Sequence, residues 1–403
     1  MKTDTDYKII PNGTITSPLG FKAGAAYGGI NKHARFNLDV SILASDVPCL
    51  AAGEFTTNKI KAASVLLCQQ ILPSKSVRAV VANSGCANAS TGEQGHLDAS
   101  NMASAAAAQV GARLGEVLVA STGVIGRRLP VDLLNSAISR INLSRDGGHD
   151  MAKAIMTTDT VPKEIAVEAG GFVIGGIAKG AGMIHPNMAT MLSFLTTDAP
   201  LEQGFLSSSL KEAIDLSFNM ISVDGDTSPN DSLILLSNGM AGGEPIRGGS
   251  ERARLFQSAL NAVCVHLARS VARDGEGATK LIEVNVRGAA SMSDARITAR
   301  TITTSPLVKT AVHGNDPNWG RIVVAAGRSG AELVENKISL DISGIPVVSE
   351  GMPLPFDADK LVAALKLPDV RINFDLGLGP YSATAWGCDL SAEYVSINAD
   401  YTT

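Results

Sequence analysis

The sequence predicts a mixed α/β fold, and three observations support that prediction. Short runs of β-forming residues alternate with stretches of helical period over the first two thirds of the chain. Hydrophobic residues make up 45% of the chain, aromatic residues only 4%, and there are 40 glycines, a composition that suits closely packed layers. The pattern changes near residue 281, and 403 residues exceed what one hydrophobic core usually serves. We therefore expect a main unit followed by a smaller C-terminal unit.

The first 178 residues combine strands with helices. The alanine-rich stretch 98–112 favours a helix, and two more helices are predicted over 129–141 and 152–159, on either side of a polar loop. Strands are predicted over four runs, namely 65–72 (VLLCQQIL), 77–83 (VRAVVAN), 116–122 (EVLVAST) and 171–178 (GFVIGGIA). The last of these strands leads directly into a glycine-rich motif.

The rest of the chain has longer helices and a late β-rich part. A buried strand is expected to begin at Thr190, and helices are predicted over 208–219, 250–272 and 291–303. β-rich segments are predicted at 320–327 (GRIVVAAG), 337–348 (KISLDISGIPVV) and 371–377 (RINFDLG). The final run, YVSINADYTT, is strand-like, and we expect it to be tied into the structure, where it can line a site.

Charge and composition exclude several classes of function. The net charge is −5 and the basic residues are scattered, so nucleic acid is not an expected partner. No apolar run is long enough to cross a bilayer and no signal peptide begins the chain, so a cytoplasmic protein is expected. The five cysteines include no CxxC pair, which favours buried thiols over disulfides or a zinc site. We predict no metal, no nucleotide and no cofactor.

The glycine-rich motif KGAGMIHPNMATML (179–192) contains the residue that carries the chemistry. Gly180, Gly182 and Pro186 allow an unusual backbone, in which the Thr190 hydroxyl can attack the Ala189 carbonyl and release a threonine with a free amine. That amine, with a pKa of about 7.7–8.0, supplies the base that a threonine nucleophile needs. The alternative from spacing alone is that Thr190 simply begins a buried strand.

Several long blocks, in order, resemble the glutamate N-acetyltransferases of arginine biosynthesis, also called ornithine acetyltransferases. Besides the motif, these blocks are NSGCANASTG (83–92), ASTGVIGRRLP (120–130), AIMTTDTVPK (154–163), ISVDGDTSPND (221–231), VARDGEGATK (271–280), VHGNDPNWGRI (312–322) and INADYTT (397–403). The resemblance extends from about Ser17 to Thr403. It implies a layered α-β-β-α sandwich, shared with DmpA-type aminopeptidases, plus a smaller C-terminal α/β domain.

The resemblance also implies self-cleavage between Ala189 and Thr190. The products would be an α chain, 1–189, and a β chain whose part 190–280 completes the catalytic core and whose part 281–403 forms the smaller domain. Two α and two β chains would associate. The last residues would return to the site.

The implied reaction moves an acetyl group from N-acetylornithine to Thr190 and then to glutamate, and some members also accept acetyl-coenzyme A. Thr122 and Gly123 would form the oxyanion hole, although a tripeptide such as STG is also an ordinary turn. The implied substrate contacts are Thr157, Lys179, Thr190, Glu276, Asn398 and Thr403. We expect Lys179 to bind the substrate carboxylate and Glu276 the ammonium, whereas the alternative makes both of them solvated surface charges.

Other residues in the sequence fit a catalytic or metal-binding role less well. Cys86 lacks a histidine partner in the pattern, and His185 is expected to be a loop residue because the threonine amine already supplies a base. The acids of 224–231 lack the remaining ligands of a calcium loop. Two other classes of function stay open from the sequence, namely a related aminopeptidase that transfers its acyl group to water, and an uncleaved binding protein.

Overall fold

The computed structural model describes residues 6–185 and 191–400. The strands in this part of the chain are β1 (Lys8–Ile9), β2 (Phe21–Ala26), β3 (Val40–Phe55), β4 (Ser74–Asn83), β5 (Val117–Ser121), β6 (Lys163–Ala169), β7 (Phe172–Lys179), β8 (Leu192–Thr197), β9 (Ile221–Ser222), β10 (Ser232–Ser237), β11 (Leu281–Ala289), β12 (Ser339–Ile342), β13 (Ile345–Ser349), β14 (Met352–Pro353), β15 (Asp369–Asp375) and β16 (Tyr381–Cys388). The α-helices are α1 (Ala63–Ile71), α2 (Gly92–Val110), α3 (Val131–Ile138), α4 (Gly148–Ala154), α5 (Gln203–Leu216), α6 (Glu251–Arg273), α7 (Met292–Thr303), α8 (Pro306–His313), α9 (Trp319–Gly327), α10 (Ala358–Leu365) and α11 (Ala392–Asp400).

The first sheet has nine strands and its central element is the long strand β3. In the described residues the order is β1-β6-β7-β8-β10-β3-β4-β5, with β2 paired to β3 on the edge opposite β4. Residues 40–45 of β3 pair with β2, and residues 50–55 pair with β10, so this single strand joins two halves of the sheet. β8 and β10 are parallel neighbours, with Leu192 opposite Ser232.

The two faces of the half-sheet β6-β7-β8-β10 enter different cores. Along β10, Ile234 and Leu236 pack in a core with β2–β5 and α1–α4, while Leu233 and Leu235 pack on the other side with α5 and α6. This alternation follows from the two-residue period of a strand. The outer helices α1 and α2 lie on β4 and β5, and α6 lies on β6 and β7. The predicted mixed α/β fold with α-β-β-α layering is confirmed.

The second sheet has the order β14-β13-β12-β15-β11-β16-β9. Apart from the short β9, its strands come from the chain after Leu281, the region in which the sequence pattern changes. Helix α7 packs on β11 and β16, and α6 of the main unit also packs on β16. Because one continuous core joins α5 and α6 to this sheet, the proposed boundary at residue 281 stays a prediction.

Three segments that the sequence predicts as strands are helical in the structure, so these three predictions are wrong. Residues 65–72 lie mostly in α1, where Val65 and Cys68 are buried three residues apart. Residues 320–327 lie in α9, because Ile322, Ala325 and Ala326 recur at helical spacing while Val324 is 66% exposed. The terminal run is not a strand up to residue 400, since it forms α11. In the described part of the chain, no helix is both long enough and apolar enough to cross a membrane.

Candidate active site

One cleft, with about 560 Å³ of space that is partly open to solvent, brings together all six predicted site residues that the structure describes. They are Thr122, Gly123, Thr157, Lys179, Glu276 and Asn398. These residues come from five separate sequence blocks, so it is the fold that makes them neighbours. Ala189, Thr190 and Thr403 lie outside the described residues, and their roles stay predictions.

Thr122 and Gly123 immediately follow strand β5 and sit where two loops touch. The Thr122 N–H donates to the Asn83 carbonyl at 3.0 Å, so that amide is already used. The Thr122 hydroxyl faces the cleft and lies 3.5 Å from the Lys179 amine. Gly123 has φ +127°, and a Cβ there would lie 2.4 Å from the Gly85 carbonyl carbon, so only glycine fits. If Thr122 contributes to an oxyanion hole, its hydroxyl is the available donor.

Lys179 is the last residue of β7 and is buried, with 2% of its surface exposed. It pairs in register with Leu192, two residues after Thr190, which places its backbone next to the start of β8. Burial lowers the pKa of Lys179, and the nearby carboxylates of Asp159 and Glu276 only partly oppose that shift. Lys179 is therefore a buried amine near the carboxylates of Asp159 and Glu276, and the surface alternative is wrong.

Glu276 lies in the turn between α6 and β11 and is 7% exposed. Its Oε2 accepts a hydrogen bond of 2.8 Å from the Asn398 amide, and its own N–H donates to the Ala181 carbonyl at 3.2 Å. A Cβ on Gly182 would lie 2.5 Å from Oε2, so the carboxylate packs directly against the glycine-rich motif. The surface alternative is wrong here too, and the cleft contains both a lysine amine and a glutamate carboxyl group.

The sequence did not identify Asp159, which organises one wall of the cleft. This buried carboxylate accepts hydrogen bonds from Lys163 Nζ (2.6 Å), the Gly180 N–H (2.8 Å) and the Thr157 N–H (3.1 Å). Burial alone would raise the pKa of Asp159, but the Lys163 and Lys179 charges and the Gly180 N–H hold it below its ordinary value. The i, i+4 spacing of acid and lysine in AIMTTDTVPK was the available signal.

Asn230 is a second residue that the sequence did not single out. Its side-chain amide donates to the Ala87 carbonyl at 2.6 Å and to the Ser121 carbonyl at 2.7 Å. These acceptors belong to the NSGCANASTG block and to the residue before Thr122. Asn230 therefore joins the blocks that form the oxyanion-side wall, and it lines the cleft itself.

The other two candidate residues, His185 and Cys86, have hydrogen-bond partners in the structure. His185 Nδ1 lies 3.3 Å from the Ser222 hydroxyl, and burial lowers its pKa. Cys86 is buried, its thiol donates to the Arg127 carbonyl at 3.2 Å, and burial raises its pKa. All five cysteines are buried and unpaired, which confirms the expectation of buried thiols.

Comparison with known proteins identifies the family. The ArgJ family model matches residues 22–403. The Arginine biosynthesis bifunctional protein ArgJ of Dehalococcoides mccartyi is 55% identical over 407 residues, covering 100% of both chains, and that of Symbiobacterium thermophilum is 51% identical over 397 residues, covering 97% of this chain and 99% of its own. The crystal structure of the Bacillus halodurans protein of that name is 42% identical with a TM-score of 0.50, over 51% of this chain and 97% of that one. The resemblance found in the sequence blocks is thus confirmed, and the chain belongs to the ArgJ family.

Proposed function

We propose that this protein is an acetyltransferase of arginine biosynthesis that moves an acetyl group from N2-acetyl-L-ornithine to L-glutamate through an ester on Thr190. One observation carries the proposal. The cleft gathers an oxyanion-side pair, a buried lysine and a buried glutamate beside the start of β8, and β8 begins two residues after Thr190.

The mechanism begins with cleavage of the Ala189–Thr190 bond. The Thr190 hydroxyl attacks the Ala189 carbonyl, the bond to the Thr190 nitrogen breaks as that nitrogen takes a proton, and water hydrolyses the resulting ester. In each turnover the free amine accepts the Thr190 hydroxyl proton while the oxygen attacks the acetyl carbonyl, and the Thr122 hydroxyl and Gly123 N–H stabilise the oxyanion. Ornithine leaves with the proton, and the amine of glutamate then attacks the ester in the same way.

Substrate recognition follows from the two buried charges. Lys179 binds the α-carboxylate that ornithine and glutamate share, and Glu276 binds the ammonium group of ornithine. Thr157, Asn398 and Thr403 complete the contacts. The Asn398 amide already holds Glu276 Oε2, so it sets the direction in which this carboxylate faces the cleft.

The assembly and the second activity belong to the same proposal. Cleavage gives an α chain of 1–189 and a β chain of 190–403, with 190–280 in the catalytic core and 281–403 as the smaller domain, and two of each chain associate in the cytoplasm. The reaction uses no metal or cofactor. Because the curated relatives are named bifunctional, we include acetylation of glutamate by acetyl-coenzyme A as a second activity.

Intact mass spectrometry tests the nucleophile. The purified protein is expected to give two chains that meet at Ala189 and Thr190, whereas Thr190→Ala stays a single chain. Brief incubation with N-acetylornithine should add one acetyl group to the fragment that begins with Thr190. A wild-type protein that stays whole and nevertheless transfers acetyl groups would overturn the mechanism, and acyl transfer to water alone would favour the aminopeptidase.

Glu276→Gln tests substrate recognition. It keeps the size of the side chain and an oxygen for Asn398 but removes the charge, so kcat/KM should fall more with N-acetylornithine than with an uncharged acyl donor. Glu393→Gln, an exposed acid in α11, is the matched control and should behave as wild type. Equal losses with both donors would show that Glu276 does not recognise the cation.

A further inference from the structure

Apart from Asn230, which lines the cleft, the block ISVDGDTSPND has no assigned role in the proposed reaction, yet it lies against the chain on both sides of residues 186–190. We call residues 222–232 the bracketing segment. Its first residues bond to Met183 and Ile184, and its last residues bond to Met191. Both ends of the stretch that contains the Ala189–Thr190 bond are thus held by one short piece of chain.

On the upstream side, Asp224 uses both carboxylate oxygens. Oδ2 accepts the Met183 N–H, and Oδ1 accepts the Ile184 N–H at 2.9 Å. The contact is reciprocal, because the Ile184 carbonyl accepts the Val223 N–H at 2.8 Å and the Ser222 hydroxyl at 3.2 Å. Two consecutive peptides before the cleavage point are therefore fixed.

The backbone held in this way is strained. Ala181 has φ +98° and Met183 has φ +60°, and neither is glycine. Residues other than glycine are strained in this region and persist there only where the surroundings enforce the conformation. The Asp224 bond to the Met183 N–H acts directly at one of the two strained residues.

On the downstream side, Asp231 holds the peptide that joins Thr190 to Met191. Its Oδ1 accepts the Met191 N–H at 3.1 Å, and the Met191 carbonyl accepts the Ser232 N–H at 3.0 Å. From there β8 and β10 continue as parallel partners. The nucleophile is thus one covalent link away from an anchored amide.

Burial of Asp231 also lowers the stability of the fold. It is fully buried, and its Oδ1 already accepts the Ser228 hydroxyl at 2.7 Å. Its Oδ2 has no hydrogen-bond partner among the described residues. A buried carboxyl with an unsatisfied oxygen costs stability, and burial accordingly raises its pKa well above the ordinary value. The presence of Asp231 is therefore better explained by the Met191 N–H that it holds than by a contribution to stability.

We propose that the bracketing segment holds the chain on both sides of the Ala189–Thr190 bond in the geometry that self-cleavage requires, with Asp224 and Asp231 as its positioning residues. The inference rests on the proposed function, because it assigns a cause to the cleavage. An attack between neighbouring groups is very sensitive to their orientation, and the two aspartates hold the described residues on either side of that bond.

The two aspartates predict opposite responses to asparagine. At position 224 both oxygens accept N–H groups, so Asp224→Asn would place an NH₂ against a donor and should slow cleavage about tenfold or more. At position 231 only Oδ1 holds the Met191 amide, so Asp231→Asn keeps that acceptor and should cleave within about twofold of wild type. Asp231→Ala removes it and should be as slow as Asp224→Asn.

The measurement is the fraction of intact chain over time after pulse-labelled expression, read by intact mass. Asp226→Asn is the matched control, because Asp226 is in the same loop but its exposed side chain bonds to neither flank. Thermal unfolding confirms that each variant is folded. Asp231→Ala opens a cavity and can fail to fold. In that case the volume-conserving Asp224→Asn decides the test.

The outcomes separate this inference from the proposed function. A wild-type chain that stays intact would overturn both. If the wild type cleaves, and the folded variants Asp224→Asn and Asp231→Ala cleave as fast as the wild type, the bracketing inference alone is wrong. If Asp231→Asn is as slow as Asp231→Ala, the charge of Asp231 matters more than its acceptor oxygen, and the positioning role is overturned.

Discussion

A single methyl group placed on Gly182 should separate catalysis from stability at this site. The φ angle of Gly182 is not in the left-handed region, so alanine can adopt its backbone. The new Cβ would lie 2.5 Å from Glu276 Oε2 and 2.6 Å from Oε1, whereas real Cβ contacts are essentially never under 3.0 Å. The Glu276 carboxylate must therefore retreat by about half an ångström.

That displacement is small for the fold and large for the site. The Glu276 carboxylate is the end of a flexible side chain, so the free energy of unfolding should stay within about 1 kcal/mol of wild type. The 2.8 Å bond from Asn398 would stretch or break, and the carboxylate would no longer meet the substrate ammonium. A misplacement of 1 Å costs about 10²-fold, so kcat/KM for N-acetylornithine should fall about 10- to 100-fold.

The assay is steady-state kinetics on Gly182→Ala, normalised to the cleaved fraction, with N-acetylornithine and with an uncharged acyl donor. Gly204→Ala in α5, where a Cβ meets nothing within 4 Å, is the matched control. Adding Glu276→Asp shortens the acid and should restore part of the lost activity. Wild-type kcat/KM in Gly182→Ala, or an equal loss with both donors, would refute the packing argument.

Three further predictions concern charge and pH. Asp159→Asn breaks a buried ion pair with Lys163 and should lower the free energy of unfolding by about 3 kcal/mol in urea titrations at pH 7. Since the folded-state pKa of Asp159 is depressed, this difference should shrink as the pH falls below about 4, and a constant difference would contradict the assignment. Asp231→Asn should be more stable than wild type at pH 7, because the raised pKa of Asp231 contributes stability only at low pH. The gain in the free energy of unfolding should vanish as the pH falls toward about 4. If Asp231→Asn is no more stable than wild type at pH 7, burial of this acid does not lower stability. Acetyl transfer should rise with pH through the Thr190 amine pKa of about 7.7–8.0, and a flat profile between about pH 6 and 9 would exclude the amine as base.

What the sequence could predict depended on the range of the interactions. Strands such as β7 and β8 follow from local composition, and the cleft residues Thr122, Lys179 and Glu276 follow from sequence blocks that resemble the family. The β-like appearance of 320–327 misled because Ile322, Val323 and Val324 favour strands locally, while tertiary burial of Ile322, Ala325 and Ala326 selects a helix. The alternation of buried and exposed residues exists only once the neighbouring elements are in place.

For a related reason, the sequence alone could not predict which groups the individual carboxylates contact. Asp159 and Asp231 serve the site through backbone N–H groups of Gly180 and Met191, and every residue except proline has such a group. No residue type in the partner marks these backbone contacts, so no pattern of side chains reveals them, although the i, i+4 spacing of Asp159 and Lys163 does indicate their ion pair. Only the packing of β7, β8 and β10 decides which amide each acid meets.

The electrostatic arrangement around the cleft argues that function, more than stability, selected it. Asp159, Lys163, Lys179, Asp231 and Glu276 are all less than 10% exposed, although burying charge is expensive. Asp159 and Lys163 offset that cost with a short hydrogen bond to each other. Among the described residues, however, one oxygen of Asp231 has no hydrogen-bond partner, and the Lys179 amine has only the 3.5 Å contact to the Thr122 hydroxyl. A fold selected for stability alone would replace such groups with apolar ones of similar size. Their presence in the cleft, and that of Asp231 beside residues 186–190, is expected if they serve substrate binding and the proposed self-cleavage.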